Sequence, residues 1–155
     1  ISQPYIVALM AAALELGPGD RVLEIGTGSG YAAAVLSQVA AAVWSVERHP
    51  ALAEQAAARL AGLGYDNVAV RVGDGTLGWP EAAPFDAIVV TAGGPGVPPA
   101  LLAQLADGGR LVIPVGDETR SQRLVRVRRA GPDLAEEDLG PVRFVPLVGD
   151  QGWPG

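Results

Sequence analysis

Three short runs in this sequence carry residue types and spacings that could do chemistry. The first is Val22-Leu23-Glu24-Ile25-Gly26-Thr27-Gly28-Ser29-Gly30-Tyr31, an apolar stretch that runs into three alternate glycines. Glycines let a backbone turn sharply and let a ligand approach the main chain closely. The spacing is G-x-G-x-G, not the G-x-G-x-x-G of dinucleotide enzymes, which seat a pyrophosphate on a helix N-terminus. The second run is Val46-Glu47-Arg48. Its acid lies about 20 residues past the first glycine, where nucleotide-binding α/β folds keep a carboxylate for ribose hydroxyls. The third is Gly73-Asp74-Gly75, whose short acid can accept a hydrogen bond from an adenine amino group. Each run has a plain structural reading when taken alone: a tight turn, a solvated strand-end acid, a β-turn. Together they describe one site for an adenosine that carries a small carboxylate.

S-adenosylmethionine fits that description. It has no pyrophosphate, and its amino-acid moiety can lie on the glycine loop with backbone amides facing its carboxylate. The expected cofactor set is Glu24, Gly26, Thr27, Gly28, Ser29, Gly30, Glu47, Arg48, Asp74, Gly75 and Thr91. Thr91 ends an apolar run and would point its hydroxyl to the edge where methyl donor and acceptor meet. Asp86 begins that same run and reads as structural. His49 reads as exposed, and Trp79 and Trp153 as packing residues.

These residues need elements to hold them. Helical spacing covers 4–16, with Tyr5, Leu9, Ala12, Ala13 and Leu16 on one face. Pro4 suits a first turn. Strands are expected at 21–25, 42–46, 68–72, 85–91 and 110–115, with helices at 31–39, 50–63 and 98–105. The 50–63 helix should turn Leu52, Ala56, Leu60 and Leu63 inward. A turn is expected at 107–109, an alternating strand at 122–127 and a last strand at 144–148. Alternating strands and helices predict an α/β fold with a mostly parallel central sheet and helices on both faces. The C-terminal strands should form antiparallel edges. No linker or internal repeat divides the chain, so one domain is expected over 1–155.

Composition narrows the classes. The chain has 155 residues, 49% of them hydrophobic, and a formal charge of −6, so a disordered or nucleic-acid-binding protein is not expected. The basic cluster Arg120, Arg123, Arg126, Arg128 and Arg129 reads as a solvated edge strand guarded by charge. The absence of cysteine and the single histidine leave no thiolate or His-cluster metal site, so no metal is expected. No apolar run is long enough to span a bilayer. A cytoplasmic monomer without membrane or nucleic-acid partners is expected.

The chain resembles the protein-L-isoaspartate O-methyltransferase family nearly end to end. The resemblance is carried by Ile1-Ser2-Gln3-Pro4-Tyr5, Val22 to Tyr31, Val46-Glu47-Arg48, Leu63-Gly64-Tyr65-Asp66-Asn67-Val68, Gly73-Asp74-Gly75 with Gly78-Trp79-Pro80, residues 83–92, and Leu111-Val112-Ile113-Pro114-Val115-Gly116. It implies a Rossmann-like class I methyltransferase fold and methyl transfer from S-adenosylmethionine to the free carboxylate of L-isoaspartyl residues in damaged proteins and peptides. It makes Ser2 the active-site serine; by itself Ser2 reads as a helix N-cap. Family members carry a substantial region ahead of this serine, so the chain is expected to be an N-terminally truncated form. Two other readings stand beside the repair enzyme: a catalytically impaired cofactor-binding domain, and a relative that methylates an aspartate of a specific biosynthetic peptide. A nicotinamide dehydrogenase is disfavoured by the glycine spacing.

Overall fold

The computed structural model describes residues 3–117 and 121–155. Ser2, the expected active-site serine, and Arg120 of the basic cluster lie outside the described residues. Helix α1 (Pro4–Leu14) opens with proline in its first turn and stops at Glu15, which adopts the left-handed conformation (φ 52°). Strand β1 (Arg21–Ile25), helix α2 (Tyr31–Ser37), strand β2 (Ala42–Glu47), helix α3 (Pro50–Gly62) and strand β3 (Val68–Val72) follow. Then come β4 (Phe85–Val90), the short α4 (Pro99–Ala103), β5 (Leu105–Gly116), β6 (Gln122–Ala130) and β7 (Asp133–Val142). The seven strands form one sheet in the order β3-β2-β1-β4-β5-β6-β7. The first five are parallel, and β6 and β7 close the sheet antiparallel.

Parallel strands covered on both faces should be mostly apolar, and β1 and β4 are, apart from Arg21 and Asp86 at their starts and the buried Glu24. Val22 and Val89 face a core with Met10, Leu14, Ala33, Leu36 and Leu60, under α1, α2 and α3. Leu23, Ile25, Ile88 and Val90 face the opposite core with Leu101, Ile113 and Leu147. The strand order reverses between β1 and β4, and ligands bind open α/β sheets at such a point, outside the carboxyl ends of the strands.

Two helices bury a face that only partly matches the one expected: Ala13 in α1, and Ala56 and Leu60 in α3, are buried as expected. In α1 the buried residues are Val7, Met10, Ala13 and Leu14, while Tyr5 is 71% exposed. The helix is apolar almost all round, so its pattern offers little contrast to choose a face. In α3 Ala53, Ala56 and Leu60 are buried, and Leu52 and Leu63 face solvent. Here the small alanines let the helix lie close to the sheet.

The C-terminal half departs from expectation in three places. The last strand is β7, and residues 144–148 make only isolated bridges, Gly93 with Pro146 and Val148 with Trp153. The acidic β7 carried no apolar signal because most of it is exposed. Its ladder to β6 is reinforced by Arg123 with Asp138 and by Arg126 and Arg128 with Glu137. β6 is therefore an inner strand, not an edge. The 107–109 turn survives as a bulge inside β5: Phe85 pairs with Leu105, yet Ala87 pairs with Arg110. Arginines also finish α1, whose last carbonyls lack helical partners. Arg110 donates to Leu14 O at 2.7 Å and to Glu15 O at 3.0 Å, and Arg126 donates to Ala13 O at 3.1 Å. Among the described residues no helix is long and apolar enough to cross a membrane.

Candidate active site

The β1–α2 connection is the glycine loop. Gly26, Gly28 and Gly30 all have positive φ (97°, 53° and 91°), a region L side chains seldom enter. A Cβ on Gly26 would sit 2.4 Å from Thr91 Oγ1, whereas one on Gly28 would meet nothing within 4 Å. The loop is thus packed from beneath at Gly26 and open above at Gly28. Thr91 Oγ1 lies 3.0 Å from both Ile25 O and Gly26 O. Its hydroxyl pins the loop backbone, where the sequence placed it pointing at the reacting groups.

Glu47, at the end of β2, holds the loop from the side. Its carboxylate accepts from Gly28 N and from His49 N, each at 2.9 Å. These two bonds fix the carboxylate at the loop and leave it further lone pairs. The amides of Thr27 and Ser29 have no acceptor among the described residues, so they are ready donors for a small anion.

A cavity of about 830 Å³ opens over this loop, within the range of pockets that bury small ligands. Gly26, Thr27, Gly28, Ser29, Glu47, Arg48, Gly75 and Thr91 of the expected set line it. Its opposite wall comes from Gln3, Ile6, Val7 and Met10 of the α1 region and from the segment Arg143 to Val148. The sequence reading gave neither group a role in the site. Nothing local marks them: they reach the cavity only because α1 and the C-terminal segment fold over the same sheet end.

Glu24, Gly30 and Asp74 of the expected set are not on this lining. Glu24 is fully buried beneath the loop, and Gly30 packs toward Leu60. Asp74 accepts from Thr76 N, Thr76 Oγ1 and Asp150 N at 2.9, 2.7 and 2.9 Å. Burial works to raise its pKa, but these hydrogen bonds outweigh it and hold the carboxyl below its ordinary range. It ties the C-terminal segment to the end of β3. Asp86 accepts from Arg21 N at 2.8 Å, far from the cavity. His49 is exposed at the start of α3. Trp79 stacks under Arg71, and Trp153 donates from its ring to Gly93 O. Among the described residues no group of three or more His, Cys, Asp or Glu could hold a metal ion.

A switch-point glycine loop without dinucleotide spacing, an acid at the end of β2, and a parallel sheet closed by an antiparallel pair define a Rossmann-like class I S-adenosylmethionine-dependent methyltransferase. The family model described as protein-L-isoaspartate(D-aspartate) O-methyltransferase matches residues 1–152. The chain belongs to that family, whose members are S-adenosylmethionine-dependent carboxyl O-methyltransferases.

Protein-L-isoaspartate O-methyltransferase 2 of Pelobacter propionicus is 66% identical over 99% of the chain and 68% of its own length. Protein-L-isoaspartate O-methyltransferase of Protochlamydia amoebophila is 61% identical over 99% of the chain and 73% of its own length. A solved protein-L-isoaspartate O-methyltransferase superposes with a TM-score of 0.91 at 38% identity, and the match covers 98% of this chain but 49% of that one. A candidate protein-L-isoaspartate O-methyltransferase from Plasmodium falciparum, solved with S-adenosyl-L-homocysteine, gives a TM-score of 0.79 at 26% identity. It covers 96% of this chain and 75% of the other.

Proposed function

We propose that this chain holds S-adenosylmethionine on the glycine loop and Glu47 and transfers its methyl group to the free carboxylate of L-isoaspartyl residues in damaged proteins and peptides. The observation that carries the reading is the Glu47 carboxylate, fixed by Gly28 N and His49 N at a cavity lined by Thr27 and Ser29, whose amides have no acceptor among the described residues. In this reading those amides bind the cofactor's carboxylate, and Glu47 accepts from its ribose hydroxyls. Gly75 lies against the adenine, and Arg48 sits at the rim. When bound, S-adenosylmethionine supplies an electrophilic methyl sulfonium.

An isoaspartyl carboxylate is already a nucleophile at neutral pH, so the chain has no strong base to provide. Its work is alignment and exclusion of water. The pinned loop and Glu47 fix one partner. The apolar α1 wall and the segment Arg143 to Val148 enclose the other. Ser2 orients the acceptor carboxylate by a hydrogen bond. The chain acts as a single domain and as a cytoplasmic monomer, without metal.

Calorimetric titration of the purified chain with S-adenosylhomocysteine, together with a methyl-transfer assay on an isoaspartyl peptide, tests the proposal. Binding with turnover is expected. Binding without turnover would limit the chain to cofactor capture, and no binding by a folded sample would overturn the reading. Elution as one copy in size-exclusion chromatography checks the monomer.

A further inference from the structure

The proposed reaction leaves a buried acid unused beneath the glycine loop. Glu24, on β1, is 0% exposed. Its Oε1 lies 2.5 Å from Ser45 Oγ, and Ser45 Oγ lies 2.6 Å from Thr27 Oγ1. Its Oε2 has no partner among the described residues. Thr27, at the other end of this chain of hydroxyls, lies on the cavity lining. A buried carboxylate with a hydroxyl on one oxygen and nothing on the other is far costlier than a neutral carboxyl.

We propose that Glu24, Ser45 and Thr27 form a proton-linked relay: Glu24 holds a proton in the free protein, and a cationic ligand arriving on the glycine loop expels it through the two hydroxyls. The inference rests on the S-adenosylmethionine reading of the loop, whose cationic end is the α-ammonium, joined by the sulfonium in the methyl donor.

The proton balance is explicit. In the free protein the Glu24 O–H donates to Ser45, Ser45 donates to Thr27, and Thr27 presents an O–H to the cavity. On release, Thr27 gives its proton to solvent, Ser45 passes its proton to Thr27, and Glu24 passes its proton to Ser45. Each bonding pair left behind stays on its oxygen. Every hydrogen bond then runs the other way, toward a Glu24 carboxylate, and Thr27 presents lone pairs to the cavity. The relay thus switches the loop from repelling a cation to attracting one.

The neighbouring charges agree. Burial pushes the Glu24 carboxyl up to about 8, against the pull of the Ser45 hydrogen bond and with a further push from Glu47 on β2. On the other elements packed here, α1 and α2 carry only Tyr5 and Tyr31, both exposed. The acid of β4 is Asp86, committed to Arg21 N at the far end. Arg48 and His49 are exposed beyond β2, and Arg59 of α3 donates to Ser29 O above the loop.

S-adenosylhomocysteine titrated calorimetrically at pH 7, in buffers of different ionisation enthalpy, reads the protons released. The expected result is release of about one proton per ligand, with affinity rising up to about tenfold per pH unit between about pH 6 and 8. Glu24→Gln should bind with neither proton release nor that slope. Wild-type binding that releases no more protons than Glu24→Gln would overturn the relay and leave the cofactor reading standing. No binding at all would overturn both. If Glu24→Gln does not fold, infrared spectra of the wild type decide. A protonated-carboxyl band at neutral pH that vanishes when S-adenosylhomocysteine is added supports the relay, and a free protein without that band overturns it.

Discussion

Gln122 should support the cavity wall formed by Arg143 to Val148 although it is not on that wall. It is 2% exposed at the start of β6. Its Oε1 accepts from Phe144 N at 2.7 Å, and its Nε2 donates to Phe144 O at 3.1 Å. One side chain thus satisfies both backbone groups of a residue on the lining. Gly93 lies against it so closely that a Cβ there would meet Nε2 at 2.2 Å. Gln122→Ala removes both bonds and leaves the two Phe144 groups facing a hole. Two net hydrogen bonds at about 1 kcal/mol each, with part of the desolvation cost of the stranded groups, give roughly 2–4 kcal/mol. Urea unfolding should show a lower midpoint at unchanged slope. Gln122→Met keeps most of the volume and should lose a similar amount. In the peptide assay KM should rise in both variants, with S-adenosylhomocysteine affinity within about twofold of wild type, because the glycine loop is untouched. A loss below about 0.5 kcal/mol, the usual scatter of surface changes, with an unchanged KM, would refute the argument.

Other expectations follow from the same geometry. The raised pKa of Glu24 stabilises the fold fully below about pH 4.5, and that contribution is lost as pH rises toward about 8. At about 1.4 kcal/mol per unit the loss is on the order of 5 kcal/mol. Urea unfolding of wild type against Glu24→Gln across this range should show the wild type falling behind, then a constant difference above about pH 8. Gly26→Ala combines a positive φ of 97° with a Cβ 2.4 Å from Thr91 Oγ1. It should lower S-adenosylhomocysteine affinity about five- to thirtyfold, since strain of roughly 1–2 kcal/mol falls on the loop itself; calorimetry reads it. Arg110→Ala removes two bonds to the end of α1 and the half-buried pair with Asp20. A loss of roughly 2–3 kcal/mol in urea unfolding is expected.

The sequence was most legible where local pattern and tertiary role coincide. The β1 strand, the three glycines and the acid that ends β2 sit where spacing put them, because the backbone demands of a tight strand-to-helix turn are local. Legibility failed where a residue's neighbour is remote. The α1 face was partly misread because an almost wholly apolar helix is oriented by the sheet it meets and by Arg110 and Arg126, about a hundred residues away. β7 was missed because its partners are arginines of β6, so its acids read as loop. Thr91 and Asp74 lie at the carboxyl ends of β4 and β3, and their side chains bond to Ile25, Gly26, Thr76 and Asp150. Spacing locates a Cα; it does not choose a hydrogen-bond partner.

The origin of the cavity's two walls also bears on the order of folding. One comes from residues 3–11 and the other from residues 143–148, so nearly the whole chain must be closed into a loop before the pocket exists. A nascent chain leaving the ribosome can pair β1, β2 and β4 early, yet it has no enclosed pocket until the segment around residues 143–151 docks on Gly93, Gln122 and Asp74. That segment is held by hydrogen bonds to Gly93, Gln122, Asp74 and Thr76 rather than by a strand ladder, so it can open as a unit while the central strands stay paired. Ligand affinity should therefore report the docking of the C-terminal segment, and protease cleavage there should be slowed by S-adenosylhomocysteine more than cleavage anywhere else.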